Sequence, residues 1–165
     1  MKQLYKLPET VIGMLSTRVV DEYSAFFFYT QAAVWCKLNG YENAARFYTG
    51  EANQEHDHAK RLIEYLADWN TDIDIQKVMA AAKLDVSFDS LQSIIEKQYD
   101  IEYQLLLKYQ DDASKIFPVS QNAFLLVQSY VKIQDDSVIE AANLINSMEN
   151  YLADDPKLAL FEAEA

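Results

Sequence analysis

Apolar residues recur along most of this chain at spacings of three and four, the period that turns one side of a helix toward a core. The pattern begins at Pro8, a residue suited to a first helical turn, and runs to Leu38, where Asn39-Gly40 stops it. It resumes at Tyr41 and continues to Trp69. So short a connection folds the second helix back antiparallel on the first. Between Asn70 and Asp89 the pattern lapses into Thr71-Asp72-Ile73-Asp74 and Asp85-Val86-Ser87-Phe88, with room for a brief helix over residues 78–83. A connection of that length inside a compact domain is expected to cross the molecule from end to end. Ser90 is placed to cap a third long helix, which passes through Leu91, Ile94, Ile95, Tyr99, Glu102 and Leu106 to about Lys115. Phe117-Pro118 breaks the period, a fourth helix spans residues 119–152, and Pro156 opens a short terminal helix ending at Phe161. The expected architecture is therefore all-α: one domain over residues 1–165, a four-helix bundle with one long crossover between its second and third helices, and a short fifth helix at the C-terminus.

Composition agrees with helices. Only 3 Gly and 3 Pro occur in 165 residues, too few to build the turns of a sandwich or barrel. The net charge of −12 repels phosphate backbones and anionic lipid, so neither nucleic acid nor a membrane is expected as a partner, whereas cations are attracted. The most apolar window, residues 25–36, is interrupted by Thr30 and Gln31 and falls well short of a bilayer crossing. Cys36 is the sole cysteine, so no internal disulfide forms, and residues 1–7 carry no apolar signal core. A cytoplasmic location is the expectation.

The chemistry available is narrow. The two histidines, His56 and His58, exclude a three-histidine zinc site, Cys36 has no evident base beside it, and no glycine-rich loop cradles a phosphate. What remains is an abundance of carboxylates and one Glu-x-x-His pair, Glu55 and His58, which share a helix face and can hold one metal between them. Taken alone, such a pair is equally a surface ion pair. Its company changes the reading. Glu22 lies among Val19, Val20, Tyr23, Phe26 and Phe27 on the first helix, and Glu102 continues the stripe of Leu91, Ile95 and Tyr99 on the third. An ionised carboxylate in apolar surroundings costs several kcal/mol unless a cation or hydrogen bonds compensate it. No Lys or Arg lies in those stripes, so a shared pair of divalent ions is the simplest compensation. This resembles the pattern of ferritin-like di-iron carboxylate proteins, in which two helices each give a Glu and the others a Glu-x-x-His.

The resemblance reaches beyond that pattern. Glu22-Tyr23, Tyr29-Thr30-Gln31 and Trp35-Cys36, then Asn39-Gly40-Tyr41-Glu42, then Glu55-His56-Asp57-His58-Ala59-Lys60-Arg61-Leu62 and Tyr65-Leu66, resemble the first two helices of a bacterial non-haem ferritin. Ser90-Leu91, Tyr99 and Glu102 resemble its third helix, Tyr130-Val131 and Gln134 its fourth, and Asp155-Pro156 with Leu160 the start of its fifth. The resemblance implies a ferroxidase that oxidises Fe(II) to Fe(III) with O₂ and stores ferric mineral inside a homo-oligomeric shell of about 24 subunits. It implies that Glu22, Glu55 and His58 bind a first iron and that Glu55, bridging, binds a second with Glu102. Gln134 would lie beside the pair, and Tyr29 close enough to give an electron or a hydrogen bond.

The likeness is incomplete in several places. The fourth helix lacks a second Glu-x-x-His, as a bacterioferritin would have, and that group's haem-binding methionine falls at His56, so no haem is expected. Positions that form a third iron site in many bacterial ferritins fall at Gln54, Ile133, Asp136 and Ser137, of which only Asp136 is acidic. Mineral-seeding acids of animal ferritins fall at Gln54, Asp57 and Lys60, and the acids of their threefold channels near Phe124 and Val127. Two other functions stay open on these residues: a ferritin-like di-iron oxygenase or peroxidase, and a non-catalytic shell or scaffold with a vestigial metal site.

Overall fold

A computed structural model describes residues 4–83 and 87–150. Its described residues form five helices and no strands: α1 (Glu9–Leu38), α2 (Glu42–Asp68), α3 (Ile75–Ala81), α4 (Leu91–Ile116) and α5 (Gln121–Asn150). At 1.5 Å per residue the four long helices run about 40–45 Å.

The boundaries follow local chemistry. Pro8 occupies the capping position before α1 rather than its first turn, and Gly40 (φ 81°) takes the left-handed conformation that reverses the chain toward α2. Ser90 and Ser93 exchange side-chain-to-backbone hydrogen bonds in a capping box that starts α4. The crossover helix begins three residues earlier than periodicity suggests, because Asp74 accepts a hydrogen bond from the Lys77 amide and so caps the turn at Ile75. The terminal helix expected at residues 156–161 lies outside the described residues.

Side-chain partners fix how the helices pack. Glu22 and Tyr29 of α1 face His58 and Tyr48 of α2, so these two are antiparallel. Arg18, Glu22 and Tyr29 meet Asp112, Tyr109 and Glu102 of α4, again with one number rising as the other falls. His58, Arg61 and Tyr65 of α2 meet Tyr130, Ser129 and Asn122 of α5 in the same sense. It follows that α2 and α4 run parallel, and the chain between them must travel the bundle's length. It does so along α1, where the Lys83 amide donates to Ser24 Oγ (3.2 Å) and Phe88 packs edge-on against Phe28. The long crossover is thus required by the packing.

The core is split in two. One apolar cluster takes in α1 as far as Tyr23, α2 from Ala59 onward, α4 from Leu105 and α5 as far as Tyr130. The other takes in α1 from Ala25, α2 as far as Ala52 and α4 as far as Ile95. Between them lies a layer containing Glu55, Gln98, Glu102 and Gln134, each 1 % exposed or less, with Glu22 at its edge. A fully buried Leu or Ile contributes about 1.5–3 kcal/mol, whereas an unneutralised carboxylate in the same place costs several. The bundle spends part of its hydrophobic stabilisation on that layer.

One detail of α4 differs from the periodicity. Tyr99 stacks on Tyr103 at the surface side (5.9 Å), and Gln98 turns inward to accept from Tyr48 Oη at 2.9 Å. The amide is buried together with its hydrogen-bond partner, so turning it inward leaves no polar atom of the pair unsatisfied.

Candidate metal centre

Glu22 stands on α1 where Val19 and Tyr23 are buried beside it, so its carboxylate is committed to the interior. Glu55 and His58 present adjacent positions of α2's buried face, three residues apart. Their donor atoms converge: Glu22 and Glu55 carboxylate oxygens and a His58 ring nitrogen all lie within 4.8 Å of one another. His58 Nδ1 is 3.6 Å from Glu22 Oε2 and 3.6 Å from Glu55 Oε2, too far for a hydrogen bond. Those three atoms are buried and have no hydrogen-bond partner. Two donors each about 2.1 Å from one first-row ion stand about 3–3.5 Å apart, so the separations suit a common cation.

The remaining candidates form the other side of the layer. Glu102 is not part of that tight group. Its carboxylate accepts from Tyr29 Oη and from Gln134 Nε2 (2.7 Å), and its carbonyl also accepts from Gln134 (3.2 Å). Gln134 is fully buried, and its Oε1 is left without a partner. All six sequence-predicted residues, Glu22, Tyr29, Glu55, His58, Glu102 and Gln134, therefore belong to one buried neighbourhood. No Lys or Arg pairs with its carboxylates among the described residues.

Burial and crowding of like charges set the protonation. Burial, then the Glu22 charge, pushes the Glu55 carboxyl well above the ordinary carboxylate range. Burial would raise Glu22 too, but Glu55, His58 and the Tyr109 hydroxyl together hold it below that range. Burial lowers His58, yet Glu22 outweighs it and leaves the imidazole above its usual value. Glu102 is raised by burial, with Tyr29 and Gln134 limiting the rise. The metal-free layer thus stays neutral enough to exist by holding protons where cations would go.

Three residues of this neighbourhood were not among the site residues expected from the sequence, although Tyr130 is one of those that carry the resemblance. Tyr109 Oη donates to Glu22 Oε1 at 2.5 Å and stacks on Tyr130 (5.1 Å between rings). Tyr130 in turn donates to the His58 carbonyl at 2.7 Å and packs edge-on against its ring. Each stands on an inward face already known from a neighbour: Tyr109 is seven residues beyond Glu102, and Tyr130 four before Gln134. The third is Glu51, 6 % exposed and one turn before Glu55. Burial, then the charges of Glu140 and Glu102, raises its carboxyl to about 7, with His58 acting in the opposite sense.

Glu51 carries a stability prediction. Its folded-state value of about 7 exceeds the ordinary 4.5, so the folded chain binds the proton more tightly than the unfolded one. Stability falls as pH rises from about 4.5, and the loss is complete above about 7. Glu51→Gln removes a cost on the order of 3 kcal/mol at its fullest. In metal-free protein it is expected to raise Tm by about 8 °C at pH 8 and by almost nothing at pH 4.5. Thermal melts at the two pH values check this; an equal change at both would contradict it.

Comparison with known proteins agrees with the bundle. A sequence profile described as "Ferritin-like domain" matches residues 12–152. A Haemophilus influenzae protein named "Probable bacterial non-heme ferritin-like protein" is 27% identical over 152 residues, covering 92% of this chain and 90% of the relative. A "Bacterial non-heme ferritin" of Campylobacter jejuni is 31% identical over 96 residues, 58% of this chain and 56% of its own. Among solved structures, an open pore ferritin from Archaeoglobus fulgidus superposes with a TM-score of 0.86 over 96% of this chain and 97% of its own, at 14% identity. With most of its length matched by that profile, this chain belongs to the ferritin-like domain family.

Proposed function

We propose that this chain is an iron-storage ferritin with ferroxidase activity, in which Glu22, Glu55, His58 and Glu102 hold two ferrous ions while dioxygen takes an electron from each. The observation that carries the reading is the set of buried, partnerless atoms Glu22 Oε2, Glu55 Oε2 and His58 Nδ1 facing one another in a dry layer. Oxygen donors with one imidazole suit Fe(II) and become better ligands as it hardens to Fe(III). Glu55 feels the charges of both Glu22 and Glu102, which suits it to bridge two ions held by them. Glu102 and Gln134, which here hydrogen-bond each other, supply oxygen donors on the far side. Tyr29, donating to Glu102, orients that ligand. The iron is substrate, and oxidised ions pass on to a ferric store.

The names of the relatives support iron handling without haem. The negative net charge favours accumulation of cations, and a store for mineral calls for a closed homo-oligomer, about 24 subunits if this chain assembles as the family resemblance implies. No helix among the described residues is long and apolar enough to cross a membrane, in keeping with a cytoplasmic site of action.

The test is direct. Metal-free protein given Fe(II) in air is expected to consume one dioxygen for each pair of ferrous ions and to develop ferric absorbance faster than buffer alone. Size exclusion should show a large shell that retains the iron. A small species that binds two irons but stores none would favour the oxygenase reading, and a shell without ferrous oxidation the scaffold.

A further inference from the structure

A cavity of about 400 Å³ opens between α1, α4 and the end of the crossover, and no residue of the proposed centre lines it. Its size falls in the range of small-molecule sites, about 300–1,000 Å³. The crossover is held on both sides of it. The Lys83 amide donates to Ser24 Oγ of α1 (3.2 Å), and Lys97 Nζ of α4 donates to the Ser87 carbonyl (2.6 Å) and lies over the Phe88 ring. The floor is apolar: Ala25, Phe28 and Leu105 are buried there, and Ile101 is half-buried beside them.

The mouth carries charge of both signs, unevenly matched. Lys108 and Asp21 face each other at 3.4 Å, and Arg18 holds the other oxygen of Asp21 at 2.5 Å. Lys83 and Lys97 line the same cavity and form no ion pair with any described residue. The remaining acid of the lining, Asp100, is exposed and equally unpaired. An ammonium group has three N–H donors, of which Ser87 takes one from Lys97. Two ammonium groups without a carboxylate partner, beside an apolar hollow, are thus a local positive excess in a chain of net charge −12. The wider negative charge repels an incoming anion only weakly, because physiological salt screens exposed charges beyond about 8 Å. At contact the two lysines decide.

We propose that this cavity binds a small amphipathic carboxylate, its ring-sized apolar body on Ala25, Phe28, Ile101 and Leu105 and its charged end toward Lys83 and Lys97. The site goes beyond the metal centre and does not depend on it. Lysine offers a point charge without the two-pronged geometry of arginine, so the head group is chosen by charge and the body by its fit to the floor. Asp100 at the rim repels a second negative charge, which favours a monocarboxylate over a phosphate or a dicarboxylate.

Naphthoate, an aromatic monocarboxylate, is the probe, titrated calorimetrically into metal-free, full-length protein. One site per chain is expected. The neutral naphthalenemethanol and acetate, which lacks the apolar body, should each bind more weakly by at least about tenfold. Lys83→Gln and Lys97→Gln should each weaken naphthoate by about fivefold or more and leave the neutral alcohol unchanged. Lys60→Gln, the same loss of charge at an exposed position of α2, should change neither. Gln104→Trp, at an exposed position of the lining, should exclude both ring compounds by filling the space. These substitutions lie outside the buried core, and circular dichroism confirms the fold of each. No binding of naphthoate, equal affinity for the neutral alcohol, or parent affinity in both lysine variants would overturn the proposal. Tighter binding of naphthyl phosphate than of naphthoate would overturn the choice of a carboxylate. Ferrous oxidation at the parent rate in Lys97→Gln is expected alongside, since the two sites share no residue.

Discussion

Replacing Glu55 and His58 together by alanine is expected to cut the rate of ferrous oxidation by at least about a hundredfold, to that of iron in buffer. The size follows from what the two side chains do. Glu55 shares one tight group of donor atoms with Glu22 and His58, and His58 Nδ1 lies 3.6 Å from Glu22 and from Glu55. Without them Glu22 and Glu102 remain, each already engaged by a tyrosine, and no group spans the distance between two ions. Losing the positioning of both reactants commonly removes about 10²-fold or more. The fold is expected to survive, since the substitution deletes a carboxyl whose burial is unfavourable, and the His58 carbonyl that receives Tyr130 is backbone. Stopped-flow absorbance with an equal-subunit control measures the effect, and circular dichroism confirms the helices. Oxidation at the parent rate in a folded double variant would remove the centre from the reaction.

How much of this could be read from the chain alone depends on the range over which each interaction acts. The helices and the Glu-x-x-His pair are local. Spacings of three and four placed Glu55 and His58 on one face of α2, and apolar flanks turned Glu22 inward, all without knowledge of a partner helix. The crossover followed from its length. Contacts that depend on the register between helices were not readable in this way. Nothing near Tyr109 in the sequence says that it will meet Glu22, 87 positions away, and the same holds for Tyr130 and His58. Tyr99 was assigned to the buried stripe because an aromatic ring weighs more in a hydrophobic count than an amide. The structure prefers Gln98, one residue back, because Tyr48 offers it a hydrogen bond. Glu51 was readable in principle, because Ala44, Tyr48, Glu51, Glu55 and Ala59 are successive buried positions at helical spacing. An acid on that face looks like its exposed neighbours until the packing leaves it only 6 % exposed.

The second large effect concerns stability. In metal-free protein the centre keeps Glu22, Glu55, His58 and Glu102 within one dry layer, an arrangement held by protons and by the apolar clusters on either side. A divalent ion that binds only the folded state at a thousand times its Kd adds about 4 kcal/mol. For a domain of this size that corresponds to a rise in Tm of about 10 °C. Zinc is expected to produce such a rise in the parent protein and little of it in the Glu55→Ala, His58→Ala variant. The effect must also depend on pH. Glu55 and His58 both hold their protons more tightly than free side chains do, so an ion must displace those protons to bind. Each displaced proton is harder to remove as pH falls, and the stabilisation at fixed zinc should shrink from pH 8 to pH 6. Differential scanning calorimetry at both pH values, with calorimetric titration in buffers of different ionisation enthalpy to count the protons released, measures the coupling. A zinc response of equal size at pH 6 and pH 8, or one that survives in the double variant, would mean that the ion binds somewhere other than at these side chains.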